Sequence, residues 1–273
     1  MSARFRASVD PPWSLQHWRD LARCALLANV RPEQLDWTDR KQSELLPADD
    51  ISSAPQQRGM VCVPKAFLPL AAAVLCHRDA RRHALLYRIL WRLDESGSAL
   101  LGRATDPDIH RARVLEKAVN RDTHKMKAFV RFREVPGQEN SFVAWFEPEN
   151  DIVDRVAAFF QRRFAGMHWA ILTPYRSVCW DGDRLRFGSG AERSDAPSGD
   201  ASEALWQTYY SHIFNPARVN PRMMQQEMPK RYWKNLPEAA LIPDLLNGSA
   251  GEVDQMVERE PQPAKRRIPK RKL

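Results

Sequence analysis

The hydrophobic period of this sequence changes twice along its length, and nothing else limits its possible folds as much. Up to about residue 122 the apolar residues recur at helical spacing. Leu15, Trp18, Leu21, Ala22, Ala25 and Leu26 mark one stripe of a helix expected over 13–28, with Ser14 as its cap. After a polar stretch from Thr38 to Arg58, expected as a surface loop, Val61 to Val63 reads as a brief strand. Two further helices follow: an apolar one over 65–77, and one that Asp79 caps, carrying Leu85, Tyr87, Ile89 and Leu90. Asp106-Pro107 combines a capping side chain with a proline suited to the first turn. It opens a helix through Ile109, Leu115 and Val119 that is expected to end near Asp122.

From there the period shortens to two. Met126 to Glu134 and Phe142 to Glu147 read as strands joined by a loop at 136–140. A helix capped by Asn150 or Asp151 follows, with Ile152, Val156, Phe160 and Phe164 on one stripe, Arg162 and Arg163 in its last turn, and Gly166 to stop it. Three more strands are expected at 169–173, 177–180 and 184–187, the last two joined by Asp181-Gly182 as a hairpin turn. The order β-β-α-β-β-β implies an α+β fold: a central antiparallel sheet of about five strands with helices before and after it. Beyond a polar loop at 188–202, helical character returns in a segment over 203–214 and in short pieces separated by Pro216, Pro221, Pro229, Pro237 and Pro243. We therefore expect one α+β domain over 1–258, helical over 1–123, sheet over 124–188 and helical over 203–258, followed by a disordered basic tail at 259–273.

Charge sharpens the reading. The chain of 273 residues carries a net +8, yet three stretches hold more than all of it. The tail from Pro261 contributes +6, residues 121–133 contribute +4 and residues 215–238 contribute +3, leaving the remainder at −5. Positive charge gathered into short stretches points to a polyanionic partner. No run of about 20 apolar residues suggests a membrane span, and Met1 to Arg6 lacks the apolar core of a secretory signal, so the expected compartment is the cytoplasm and no membrane partner is expected. Cys24, Cys62, Cys76 and Cys179 form no C-x-x-C pair, and Cys76 beside His77 reads as a structural thiol. Phosphate-cradling, dinucleotide, zinc-protease and serine-hydrolase motifs are absent, so no metal or cofactor is expected.

Two internal motifs mix bases with aromatic rings. In a strand over 126–134, Lys127, Phe129, Arg131 and Arg133 share one face, with Trp145 joining them across the hairpin and Arg121 and Lys125 just before. Such a face suits single-stranded nucleic acid, cations on phosphates and rings under bases. The alternative is that Phe129 and Trp145 lie under a helix and the arginines reach past it into solvent. The second motif holds Arg218 and Arg222, then Lys230, Arg231, Tyr232, Trp233 and Lys234 between prolines. It suits phosphate contact with stacking, or Tyr232 and Trp233 staple the segment to the core. His124, beside Asp122, is the best candidate for acid–base chemistry, although a lone histidine is more often structural. The basic run Lys265 to Lys272 resembles a non-specific nucleic-acid arm.

With these residues set out, the chain resembles a bacterial family described as probable DNA-metabolism proteins. The resemblance is carried by Cys76-His77-Arg78-Asp79 with Leu85 to Leu93, by Asp122 to Arg133, Val143 to Pro148, Trp180-Asp181-Gly182 and Met228 to Glu238. Members of that family accompany a radical-SAM protein or precede a uracil-DNA glycosylase-like domain. The resemblance implies a role in DNA repair or base modification beside a separate partner enzyme of one of those kinds, and it supplies no catalytic residues. Three expectations follow: a DNA-binding accessory protein, an enzyme acting on a nucleotide or damaged base through His124, or a protein-interaction partner of a radical-SAM enzyme that uses Trp206, Tyr209 or Trp233 as anchors.

Overall fold

One long helix forms the spine of the molecule. In the computed structural model, which describes residues 4–38, 48–59, 61, 63–197 and 220–247, Asp106 opens a helix of 23 residues, Pro107–Phe129. Its side chain accepts from the backbone N–H of Asp108 and Ile109, satisfying donors that have no partner within the helix. The buried positions Ile109, Ala112, Leu115, Val119, Asp122, Thr123 and Met126 recur every three or four residues, so a single face is covered along the whole length.

That face touches two apolar clusters in turn. Ile109, Ala112 and Leu115 belong to the first, built from three preceding helices: α1 (Leu15–Leu27), α2 (Phe67–Leu75) and α3 (Arg82–Ser96). Val119 and Met126 belong to the second, which lies between the spine, here α4, and a five-stranded sheet. Ser14 caps α1 as expected, accepting from the His17 N–H at 3.2 Å. Asp79 accepts from the Arg81 N–H, but α3 starts three residues later and its N-cap residue Arg81 has no side-chain cap.

Within the polar stretch read as a loop, Asp49–Asp50 forms a strand of a small sheet. β1 (Phe5–Ala7) pairs in parallel with β2 (Leu35–Trp37) and with β3 (Asp49–Asp50). No strand forms at Val61 or Val63.

The main sheet runs β4 (Arg133–Glu134), β5 (Ser141–Trp145), β6 (His168–Leu172), β7 (Arg176–Trp180) and β8 (Leu185–Ser189) in that order. All neighbours are antiparallel except β5 and β6, which are parallel and joined by the helix α5 (Val153–Arg163). A parallel pair needs a crossover, and α5 supplies it. Its cap differs from expectation: Ile152 is the N-cap residue, and neither Asn150 nor Asp151 caps it, because both are engaged elsewhere. At the β7–β8 turn Asp181 accepts from the N–H of Asp183 and Arg184, and Gly182 adopts φ +90°, a conformation that suits glycine. Ala144, Trp169, Ile171, Val178 and Trp180 lie buried in the second cluster with Phe160 of α5.

The chief correction concerns 126–134. The expected strand is helix through Phe129, and only Arg133–Glu134 pairs in the sheet. Burial decides it: Val119, Met126 and Val130 lie under helical spacing against Phe146 and Phe160, a surface that a strand turned by one period would abandon.

After the sheet come α6 (Pro221–Glu227), α7 (Lys230–Trp233) and a 3-10 turn at Pro237–Leu241. No helix among the described residues is long and apolar enough to cross a membrane. The segment expected as a helix at 203–214, with Trp206 and Tyr209, lies outside the described residues, as do Arg218, Cys62 and the tail at 259–273.

Candidate nucleic-acid interface

The site grows from one tyrosine. Tyr232 of α7 is 2% exposed, stacked on Phe146 with centroids 5.2 Å apart and planes 11° apart, and 5.6 Å from the ring of Phe129. Its hydroxyl lies 3.5 Å from Oδ1 of Asp122. Tyr232 therefore staples the second basic motif onto α4, which carries the first. Burial raises the tyrosine's pKa, and the neighbouring Asp122 carboxylate raises it further.

This staple brings cations together. Arg121 and Lys125 are one turn apart on α4, and Arg231 of α7 stands over the Tyr232 ring at 4.7 Å. The Lys125 ammonium is pushed below its ordinary range first by burial, then by the positive charges of Arg231 and Arg121. Charge from both motifs is thus concentrated at one place. Lys230 and Lys234 flank it: the Lys230 Nζ lies 6.0 Å from the Trp233 ring, and Lys234 donates to both oxygens of Glu147 at 2.8 and 2.9 Å. A cleft of about 240 Å³ runs between these lysines, Arg231 and Asn235.

Other residues of the expected face go elsewhere. The continuation of α4 breaks the strand alternation that grouped them. Lys127 turns toward α5, its Nζ 4.8 Å from the Phe159 ring. Arg131 donates to the carbonyls of Ala128 and Val130 at the end of α4, and Arg133 donates to the Pro197 carbonyl. Phe129 is half-buried against the second cluster. Trp145 is half-buried and donates to Glu147 at 2.9 Å. Arg222 is exposed on α6. Trp233 is half-buried and donates to the Met228 carbonyl at 2.9 Å. His124 is exposed on the helix and does not line the cleft between Lys230, Arg231 and Lys234.

Asp122 behaves differently from the surface group its sequence neighbours suggested. At 2% exposure its Oδ2 accepts from the N–H of Asn150 at 2.8 Å and from Asn150 Nδ2 at 3.0 Å. Burial raises its pKa, against the pull of these two hydrogen bonds. Asn150 belongs to the turn that leaves β5, where a second cleft of about 570 Å³ opens. His77, Arg78, Pro148, Glu149, Asn150 and Pro174 line it. Glu149 pairs with Arg231, and Glu147 also reaches this cleft, so the two clefts adjoin. Against the cost of burial, hydrogen bonds from Lys234 and Trp145 hold Glu147 below its ordinary range.

Sequence reasoning missed this second cleft. Its residues come from the loop after α2 and the turn after β5, and the signal that could have found it is topological: a turn at the carboxyl end of a parallel strand is where such sheets place ligands. Cys76, at the base of that loop, is buried with its thiol raised to about 11, chiefly by burial, as suits a structural cysteine. Among the described residues no group of three or more His, Cys, Asp or Glu is arranged to hold a metal.

The fold and the cleft-bearing turn define an α+β protein whose two basic motifs are fastened together beside an open pocket. The chain belongs to the domain family of unknown function DUF4130, whose model matches residues 80–238, from just before α3 to the 3-10 turn after α7. His77 and Arg78 lie just ahead of the matched segment. No curated protein matches the chain, and no solved structure matches it.

Proposed function

We propose that this protein binds DNA through the surface formed by Arg121, Lys125, Lys230, Arg231 and Lys234, and acts in DNA repair or base modification beside a separate partner enzyme. One observation carries the reading: Tyr232 fastens the second basic motif to α4, so that Arg231 meets Arg121 and Lys125 in a chain that carries −5 outside its three basic stretches. Glu149 and Glu147 offset Arg231 and Lys234, which leaves Arg121, Lys125 and Lys230 as the excess positive charge for phosphates to neutralise with release of counterions. The role in DNA metabolism, and a radical-SAM or glycosylase-like partner, rest on the resemblance of the sequence motifs. His124 gains no geometric support as a catalytic group, being exposed on α4.

The test is binding of labelled single-stranded and duplex oligonucleotides. Replacing Arg121, Lys125 and Arg231 together by Ala is expected to weaken binding by at least roughly tenfold at moderate salt. Removing Arg162 and Arg163 from the last turn of α5 is expected to leave it nearly unchanged. Equal effects of the two variants, or wild-type binding that ignores salt, overturn the reading.

A further inference from the structure

The cleft beside β5 presents a fixed donor and a fixed acceptor. His77 Nδ1 lies 2.9 Å from the backbone nitrogen of Asp79, which can only donate, so Nδ1 accepts and the ring proton of the neutral imidazole sits on Nε2. Burial lowers the His77 pKa, which favours that neutral form. Asn150 is fixed in the opposite sense. Its Nδ2 donates to the buried Asp122 carboxylate, which sets the amide flip and leaves Oδ1 as an acceptor. Neither His77 Nε2 nor Asn150 Oδ1 is engaged by another described residue.

The two residues are held side by side. The Asp151 N–H donates to the Cys76 carbonyl at 2.8 Å, and Arg78 Nε donates to Asp151 Oδ1 at 3.1 Å. These contacts join the segment on either side of His77 to the residue following Asn150. Pro148 and Pro174 provide flat apolar surface on the same cleft, and its 570 Å³ is ample for a mononucleotide. Through Glu149 and its partner Arg231 the cleft opens next to the cationic surface.

We infer that this cleft takes a nucleobase by an edge that sets an acceptor beside an N–H, His77 donating to the acceptor and Asn150 accepting from the N–H. The inference rests on the proposed DNA-binding role for its biological setting, but its chemistry is separable from the cationic surface. All the bases offer such an edge, a carbonyl beside a ring N–H in thymine, uracil and guanine and a ring nitrogen beside an amino group in cytosine and adenine, whereas an abasic sugar phosphate offers none. Losing this pair of hydrogen bonds is worth roughly tenfold in affinity.

Calorimetric titration of the full chain with dTMP, dUMP, dGMP, dCMP, dAMP and deoxyribose 5-phosphate tests it. The five nucleotides are expected to bind roughly tenfold tighter than the sugar phosphate. Two variants should abolish that preference: His77→Ala, which removes the donor, and Ala118→Phe, which fills the cleft from α4 without touching the polar network. Equal affinity for the nucleotides and the sugar phosphate overturns the inference, as does a preference that survives in both variants. The Arg121, Lys125 and Arg231 triple variant separates the two claims. If it loses oligonucleotide binding yet keeps the preference for nucleotides, the cleft stands by itself. If wild-type protein binds oligonucleotides but binds mononucleotides no better than the sugar phosphate, the cleft reading fails and the DNA-binding reading remains.

Discussion

A carboxylate that is 2% exposed must have its oxygens satisfied, and at Asp122 the partners come from two other parts of the chain. Asn150 supplies two donors from the turn after β5, and Tyr232 approaches from α7. Asp122→Ala would strand all of them at once. We expect that variant to lose about 1–3 kcal/mol for each orphaned buried group, seen as a lower denaturation midpoint. Asp122→Asn keeps one oxygen able to accept from both Asn150 donors and should stay close to wild type at neutral pH. The pH dependence has a definite sign. Burial raises the folded-state pKa above its ordinary 3.8, so the native protein holds the proton more tightly than the unfolded chain. Relative to Asp122→Asn, the wild type should therefore lose stability as pH rises from 3.8 through the raised value, a difference that denaturation series at several pH values would read. Wild-type stability that instead climbs through this window relative to the Asn variant would contradict the account.

At the scale of elements, α4 decides how much of the molecule the sequence could disclose. Its opening is legible because Asp106 and Pro107 leave a local chemical signature, and the cap is reinforced by an ion pair with Arg92. The Arg92 hydrogen bond, with donors from Ile109 and Asp108 behind it, brings the Asp106 pKa down to about 2. This contribution is present at neutral pH and disappears as pH falls from the ordinary 3.8 toward about 2. Asp106→Ala should cost about 1 kcal/mol through the lost cap alone, and should blunt the low-pH limb of an acid titration followed by far-UV circular dichroism. The far end of α4 was not legible, for a physical reason. Its buried face contains Asp122 and Thr123, which read as surface residues, while Lys127, Phe129, Arg131 and Arg133 alternate by chance with Ala128, Val130 and Phe132. The two periods compete over a short window, and only contacts distant in sequence, with Phe146, Phe160 and Tyr232, settle it. The main-sheet strands β5 to β8, α1 and the Asp181-Gly182 turn carry local signals and were readable. The parallel pairing of β5 with β6 and the short strands β1 to β3 have none, since pairing partners are set by tertiary contacts. The candidate site divides the same way: its cations are visible in the sequence and Tyr232 as a staple is one of two readings there, but which five cations the staple groups, and that the continuing α4 disperses Lys127, Arg131 and Arg133, is not.

For the molecule as a whole the question is how a body with an acidic remainder attracts a polyanion. Arg121, Lys125 and Arg231 belong to packed helices, and Lys125 is partly buried, so their mutual field is less screened than that of cations on an exposed arm. The run from Lys265 to Lys272 holds six bases without an acid and has no aromatic residue among them, so it offers charge without a stacking surface. These two sources of attraction should respond differently to salt. Binding to single-stranded DNA should follow a straight line of log affinity against log salt, with each neutralised phosphate contributing a slope of about 0.7. Removing residues 259–273 should flatten that line by an amount that grows with the number of tail contacts. The truncated and full-length chains should then converge as salt rises beyond about 0.15 M, where the screening length has fallen to about 8 Å. The triple variant of Arg121, Lys125 and Arg231 should flatten the line by about 2 at most, yet remain weaker than wild type at the highest salt at which binding can be measured. If instead the tail deletion alone removes all measurable affinity while the triple variant binds normally, the protein is held to DNA by its tail, and the surface that Tyr232 assembles serves another partner.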